Sequence, residues 1–505
     1  MTEPEIATTT PTSAESYLWP RWLFLRALGL IFFSAFYSLA FQIHGLIGER
    51  GILPAHFYLY QLSGMFGSVV RYWYAPTLFW LSASDAALTV VVAAGLIASL
   101  LLVFNVCPRL TVALCTILFL SCIAALQDFS SYQSDGMLLE AGFLSFFFAP
   151  RGMRPGLGAV DPPSRWSLFM LRWEWFRIYF ESGLVKLLSG DQRWRNFTAM
   201  DDYYQNAPLP SWMGWYVQQL PHWYHVGTVI ITFAVELAVV WAVFLPRRFR
   251  IACFFVVTAL QIGIIATANY GFLNYIVLAL GVLLLDDRAL ARVRFALVPA
   301  VRREETPRLR IYRRVEAAIL GLAFYTTIVA FLFGGSDSIL TLPNRLLQPF
   351  RIANAYGLFA VMTTAELEIE FQGSNDGKTW VAYPFRSKPQ DPMRRPPFLG
   401  PYQPRFDWNL WFASLEPWRA SPWVVLTQER LVEGSPSVLA LFNGDPFRGK
   451  PPSMVRTVLW QYWFTDLATK RSTGAWWRRQ ELGPFSGTVT RSPDGRTVFS
   501  EASGQ

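Results

Sequence analysis

Long apolar runs separated by short arginine-bearing loops fill the first two thirds of the chain, and alternating, aromatic-rich segments fill the remainder. Nine apolar runs predict helices in a membrane, at residues 22–41, 86–104, 110–126, 137–148, 166–188, 226–244, 251–268, 272–285 and 315–333. A full crossing takes about 20 residues, and several of the nine runs fall short of it. The first run lacks the short apolar stretch and small-residue cleavage site of a signal peptide, so it reads as an uncleaved first helix. Residues 1–16, rich in Thr, Pro, Glu and Ser, predict a disordered tail.

The pattern changes after residue 335. Leu367, Ile369 and Phe371 alternate with glutamates, the chain turns at Ser374-Asn-Asp-Gly377, and Trp380, Val381 and Tyr383 resume the alternation. This is a hairpin signature. Runs at 423–427 and 488–490 predict further strands, 455–464 a strand or short helix, and 388–404 a proline-rich connection. The expected fold is a polytopic α-helical membrane protein of about nine spans, residues 17–335, followed by a C-terminal β-sandwich-like extramembrane domain, residues 336–505.

Composition supports the membrane assignment: 53% of residues are hydrophobic, only 16% are charged, and the mean hydropathy is +0.28. The net charge of +9 does not point to nucleic acid, because the basic residues sit between apolar runs, where they set orientation. With the N-terminus inside, the loops carrying Arg109, Arg151, Arg154, Arg165, Arg247, Arg248, Arg250, Arg288, Arg292, Arg294, Arg302, Arg303, Arg308, Arg310, Arg313 and Arg314 all fall inside. Loops 45–85, 127–135, 189–225 and 267–271, and everything after Phe333, then fall outside. Cys107, Cys115, Cys122 and Cys253 lie in or beside the runs, which argues against disulfide exchange. His222 and His225 form a close pair without an evident third ligand, so no metal and no cofactor are expected. Nothing in the C-terminal region resembles a nucleophile elbow or a phosphate loop.

Ionisable residues within spans are costly and by default mark a structural or functional contact. The 166–188 run holds Arg172, Glu174, Arg177, Glu181 and Lys186. At ~100° per residue, Glu174, Arg177 and Glu181 share one face, within about 60°, and Arg172 and Lys186 share nearly the opposite one. The first stripe reads as an ion-pair ladder. Lys186 needs a counter-charge from another helix, or it snorkels to the outer interface; held in the bundle, its amine is a candidate base or nucleophile. Glu236, near the middle of its run, also needs a partner. Asp135, in an outer loop with Gln127, Asp128, Ser130, Ser131 and Gln133, and Glu140, just over one turn into the apolar run that follows, are candidate partners for Lys186. A second outer loop brings Asp201, Asp202, Tyr203, Tyr204, Gln205 and Asn206, either covering a pocket or forming an interfacial aromatic belt. Asn196-Phe-Thr198 is a glycosylation sequon, meaningful only in a eukaryotic secretory setting.

The ordered segments QDFSSYQSDGMLLEAGFL, RWEWFRIYFESGLVKLLSGDQRWRNFTAM, PLPSWMGWYVQQLPHWYH and NYGFLNYIVLAL, followed by NRLLQPFRIANAYGLFAVMTT and WWRRQ, resemble the lipase maturation factor family. The resemblance runs through residues 42–287 and into the C-terminal part. It implies an endoplasmic-reticulum membrane protein that helps secreted lipases reach their active fold, with client contacts within 344–505. Membrane lipids and an exported client such as a lipase are then the expected partners. This chain ends in EASGQ without a KDEL-type signal and has compact loops, so the expectation is a bacterial inner-membrane relative with its C-terminal domain in the periplasm, or the endoplasmic reticulum in a eukaryote. SGLVKLLSGDQRW is also similar to the vitamin K-dependent carboxylase and related horizontally transferred transmembrane proteins, which implies an alternative: a membrane-embedded enzyme using Lys186 with Glu140 or Asp135.

Overall fold

A computed structural model describes residues 16–501 apart from 131, 294, 297–306, 335 and 337. The expected tail at 1–16, but for Ser16, lies outside the described residues, as do Ser131, Arg294, Arg302 and Arg303. All nine apolar runs are helical: α1 Leu18–Ile47, α2 Asp85–Val103, α3 Pro108–Ala125, α4 Gln133–Phe148, α5 Arg165–Leu188, α6 His222–Phe244, α7 Arg247–Thr267, α8 Leu273–Leu284 and α9 Pro307–Phe333. Six of them (α1, α2, α3, α6, α7 and α9) are long and apolar enough to cross a membrane. The other three differ for distinct reasons: α4 has 16 residues, α8 is shorter still, and α5 has 24 but carries too many charges.

Local chemistry sets the ends. Ser84 accepts from the Ala87 amide and Asp85 lies in the first turn of α2, while Pro108 starts α3, where its missing N–H costs nothing. Ser164 caps α5, and Gly190, at φ +81°, turns the chain away from its C-terminal end. The helix α6 contains a π-turn at Ala234–Ala238. The two charge-bearing helices are central: α4 packs on α3 and α5, and α5 packs on α4, α6, α8 and α9. Their polar side chains are therefore surrounded by protein, the only setting in which they are tolerated at membrane depth.

The C-terminal region contains one antiparallel sheet of β1 Glu366–Ser374, β2 Val381–Ala382, β3 Met454–Phe464, β4 Trp477–Arg491 and β5 Thr497–Ser500, ordered β2-β1-β3-β4-β5. The predicted hairpin forms. Its turn is tied by Asp376, which accepts from the Lys378 and Thr379 amides, and Gly377 takes φ +67°. Residues 455–464 are a strand, and 488–490 fall within β4.

Two expectations need correction. The run at 423–427 opens helix α11, Trp423–Val432, which follows α10, Arg405–Ser414. Its buried set of Trp423, Val424, Thr427, Gln428, Leu431 and Val432 has helical spacing, which the five-residue β-branched window concealed. The region is also not a sandwich among the described residues: α10 covers β1 and α11 covers β3 and β4, so helices supply the layer that a second sheet would have formed.

Candidate functional site

Arg177 is the hub of the polar interior. It pairs with Glu140 from α4 and lies 3.9 Å from Glu181, four residues along α5; all three side chains are nearly inaccessible. The ladder expected from the sequence is therefore a cross-helix star, and Glu174, though buried, has no hydrogen-bond partner among the described residues.

What completes the star comes from beyond the last helix of the bundle. The irregular segment 351–363, with turns at both ends, runs across α4 and α5, and their charged groups satisfy part of its backbone. Arg177 donates to the Asn354 carbonyl (2.5 Å), while the Asn354 amide and side chain donate to Glu140 (3.1 and 3.0 Å). The Tyr356 hydroxyl donates to Glu140 (2.9 Å) and its amide to Glu181 (2.7 Å). Gln133 accepts from the Gly357 amide at 3.0 Å. Further along, Asp191 accepts from the Met362 amide (2.7 Å) and Trp194 donates to the Phe359 carbonyl (3.0 Å). Gly136 permits this approach: a Cβ there would lie 2.8 Å from Asn354 Oδ1.

A second clamp lies beside it. Asp135 receives two hydrogen bonds from Arg405 of α10, at 2.7 and 2.8 Å, with both side chains at 0% exposure. Arg405 also donates to the Phe129 carbonyl, the Tyr132 hydroxyl donates to the Arg405 carbonyl (3.2 Å), and Asn409 donates to the Asp128 carbonyl. Asp135 is thus the ion-pair partner of Arg405. Gln127 donates to the Leu53 carbonyl.

Lys186 does not snorkel. Its amine is 3% exposed and donates to both oxygens of Glu236 on α6, at 2.9 and 2.8 Å, and it lies over the Trp194 ring. Glu236 sits in the π-turn, an irregularity frequent at functional sites. Gly183 permits the pair, since a Cβ there would lie 2.8 Å from the Glu236 Cβ. The structure does not bring Lys186 together with Glu140 or Asp135, each of which is committed to an arginine. Arg172, on the same face as Lys186 and nearly four turns earlier, donates to the Leu283 carbonyl.

In the second outer loop, Asp201 pairs with His222 at 2.9 Å, Tyr270 donates to Tyr203, and the Tyr204 ring lies tilted against that of His225, with centroids 5.8 Å apart. Among the described residues no three His, Cys, Asp or Glu side chains converge as a metal site would.

Sequence reasoning missed a third polar cluster. Glu366 and Glu368, which alternate with apolar residues along β1, are buried with Asp407 of α10 and Lys388, and Lys388 pairs with Glu368. Burial pushes the Glu366 carboxyl well above its ordinary range, with Glu368 adding to the effect; burial also lifts Glu368 to about 7 and Asp407 to about 6, against the pull of Lys388. Asn354 and Tyr356 were missed as well, although they stand within a segment that carried the family resemblance, and so was Arg405, which lies outside those segments.

Comparison with known proteins matches residues 19–292 to the lipase maturation factor transmembrane domain and 352–487 to the lipase maturation factor C-terminal domain. Lipase maturation factor 1 of Bos taurus is 31% identical over 93% of this chain and 89% of its own length. Lipase maturation factor 1 of Mus musculus is 32% identical (92% and 86%), and lipase maturation factor 2 of Homo sapiens 30% identical (93% and 82%). No solved structure matches the chain. The chain belongs to the lipase maturation factor family and is an integral membrane protein.

Proposed function

We propose that this chain is a membrane-bound maturation factor that helps exported proteins, lipases among them, reach their active fold by binding them. The observation that carries the reading is the use made of the interior charges: Glu140, Arg177, Glu181 and Asp135 are engaged in holding residues 351–363 and Arg405, not in forming an open catalytic pocket. Polar groups at this depth that anchor an adjoining region suit a protein whose working surface lies in that region. In this proposal residues 17–335 form nine spans with the N-terminus inside, residues 336–505 lie outside, and the client is met within 344–505. The membrane is the bacterial inner membrane with a periplasmic C-terminal region, or the endoplasmic reticulum in a eukaryote. Membrane lipids and the exported client are the partners.

The test is lipase activity and quantitative proteomics of the exported fraction from a deletion strain, complemented at matched abundance. Wild type and Lys186→Ala restore a specific exported protein, and a chain lacking 344–505 does not. Full maturation by the truncated chain would sink the proposal. The burial of Lys186 against Glu236, which sits in a π-turn of α6, favours the alternative, an enzyme using Lys186. Under that reading Lys186→Arg is as inactive as Lys186→Ala, because a guanidinium does not give up its proton.

A further inference from the structure

A groove of about 700 Å³ runs between α1 and α8, lined by Ala27, Leu30, Ser34, Tyr37, Leu278 and Val282 among others, and closed at one end by residues 399–402. Its volume falls within the roughly 300–1,000 Å³ of small-ligand sites. The lining is apolar along its length and changes only at the closed end, where Tyr37, Tyr275 and Tyr402 gather. That end is built: Ser34 donates to the Pro401 carbonyl, Gln42 donates to the Tyr402 hydroxyl, and Gly400 packs against the Tyr275 hydroxyl so closely that a Cβ would lie 3.2 Å from it.

We propose that this groove seats one acyl chain of a membrane glycerolipid, with the tyrosine end meeting the ester region. Three features select this occupant. The groove opens on the outer face of α1, a helix able to cross the membrane, where Leu30, Tyr37 and Phe41 are exposed, so it is continuous with the surface that acyl chains bathe. From Ala27 to Tyr37 the helix rises ~15 Å, about half of a ~30 Å hydrocarbon core, the depth of one leaflet. The groove also has no charged lining residue and no strand edge to satisfy a polypeptide backbone, while its one polar end suits a chain that is apolar except at its head. A lipid held here would touch both α1 and residues 399–402, joining the helices to the C-terminal region through a third component.

The experiment uses the full chain in vesicles of phosphatidylethanolamine and phosphatidylglycerol doped with phosphatidylcholine bearing a diazirine at the acyl terminus. After irradiation, labelled residues are mapped by peptide sequencing, and detergent-purified protein is examined by native mass spectrometry for retained lipid. Labelling at 27–37 and 275–282 exceeds that at Ile97, an exposed position on α2, by roughly tenfold, the ratio produced by 1.4 kcal/mol of preference. The groove-filling pair Ala27→Phe and Leu278→Trp brings labelling down to the Ile97 level and removes the retained lipid. Uniform labelling, or filling variants that label like wild type, overturns the proposal, as do crosslinks that join two copies or a bound polypeptide through the groove. If the variants fail to fold, the wild-type ratio of groove to Ile97 labelling decides alone.

Discussion

Replacing Arg405 with Met tests whether the bundle and the C-terminal region are clamped by buried charge. The guanidinium donates to both Asp135 oxygens and to the Phe129 carbonyl, and it lies 5.5 Å from the Tyr132 ring centroid. Methionine fills much of the same volume but leaves Asp135, at 0% exposure, with no counter-charge. Breaking a buried pair by removing one partner costs about 3–5 kcal/mol, most of it the price of the stranded charge. Asp135→Leu should cost a similar amount for the mirrored reason, since it strands the guanidinium. Combining Asp135→Leu with Arg405→Met removes both charges, and such apolar replacements are often close to neutral. The double variant should therefore be more stable than either single one, with a coupling energy of at least about 2 kcal/mol, outside the 0.3–0.5 kcal/mol scatter of independent sites. The assay is urea unfolding of the purified chain in detergent, followed by tryptophan emission, with limited proteolysis of the 388–404 connection as a local readout. Single-variant costs below about 1 kcal/mol, or simple additivity in the double, would falsify the clamp.

Other outcomes follow from the same geometry. Lys186→Met should destabilise the bundle by stranding Glu236, and Lys186→Met with Glu236→Leu should recover stability in thermal unfolding; whether lipase maturation recovers with it separates a structural pair from a chemical one. Gly183→Val should push α6 from α5 and cost roughly 1–3 kcal/mol by overpacking, read as a lowered melting temperature with loss of the Lys186 and Glu236 contact. Glu368 and Asp407 have carboxyls raised to about 7 and about 6 in the fold. Between their unfolded values, near 4, and those folded values, the unfolded chain releases protons first, so stability of the C-terminal region should fall as pH rises from about 4 to about 7. For Glu368 the shift corresponds to roughly 3 kcal/mol, and Glu368→Gln should flatten the slope of melting temperature against pH; an unchanged slope would place the titration elsewhere.

The helices were legible because a span needs a continuous apolar run, and every such run is a helix. Length and hydropathy alone qualify six of them as crossings, because α4, α5 and α8 are apolar or long without being both. The hairpin was written in its Asn-Asp-Gly turn. The helix α11 was not, because its five opening residues have β-branched character and only its ten-residue burial pattern reveals the helical period. The burial of Glu366 and Glu368 was not legible for a related reason: alternation tells which residues share a face, and it says nothing of whether that face is then covered, here by α10 and Lys388.

The charged stripe on α5 shows what helical geometry can and cannot determine. Angular position placed Lys186 opposite Glu181 and so demanded a partner from another helix, which Glu236 supplies. The same geometry placed Glu174, Arg177 and Glu181 on one face, but it could not say that the face would be occupied by another segment of chain. An arginine on a helix satisfies its neighbours at i−3 and i+4 only weakly; the 3.9 Å separation of Arg177 and Glu181 shows how little of the interaction is local. Most of the hydrogen bonding comes from the Asn354 and Tyr356 backbone and side chains, some 175 residues away in sequence. Charge in the interior is thus compensated by irregular backbone, and irregular backbone in the interior is compensated by charge. Neither element would be tolerable without the other, so removing residues 351–358 should destabilise the helices themselves, and the bundle and the C-terminal region should unfold together rather than in two steps.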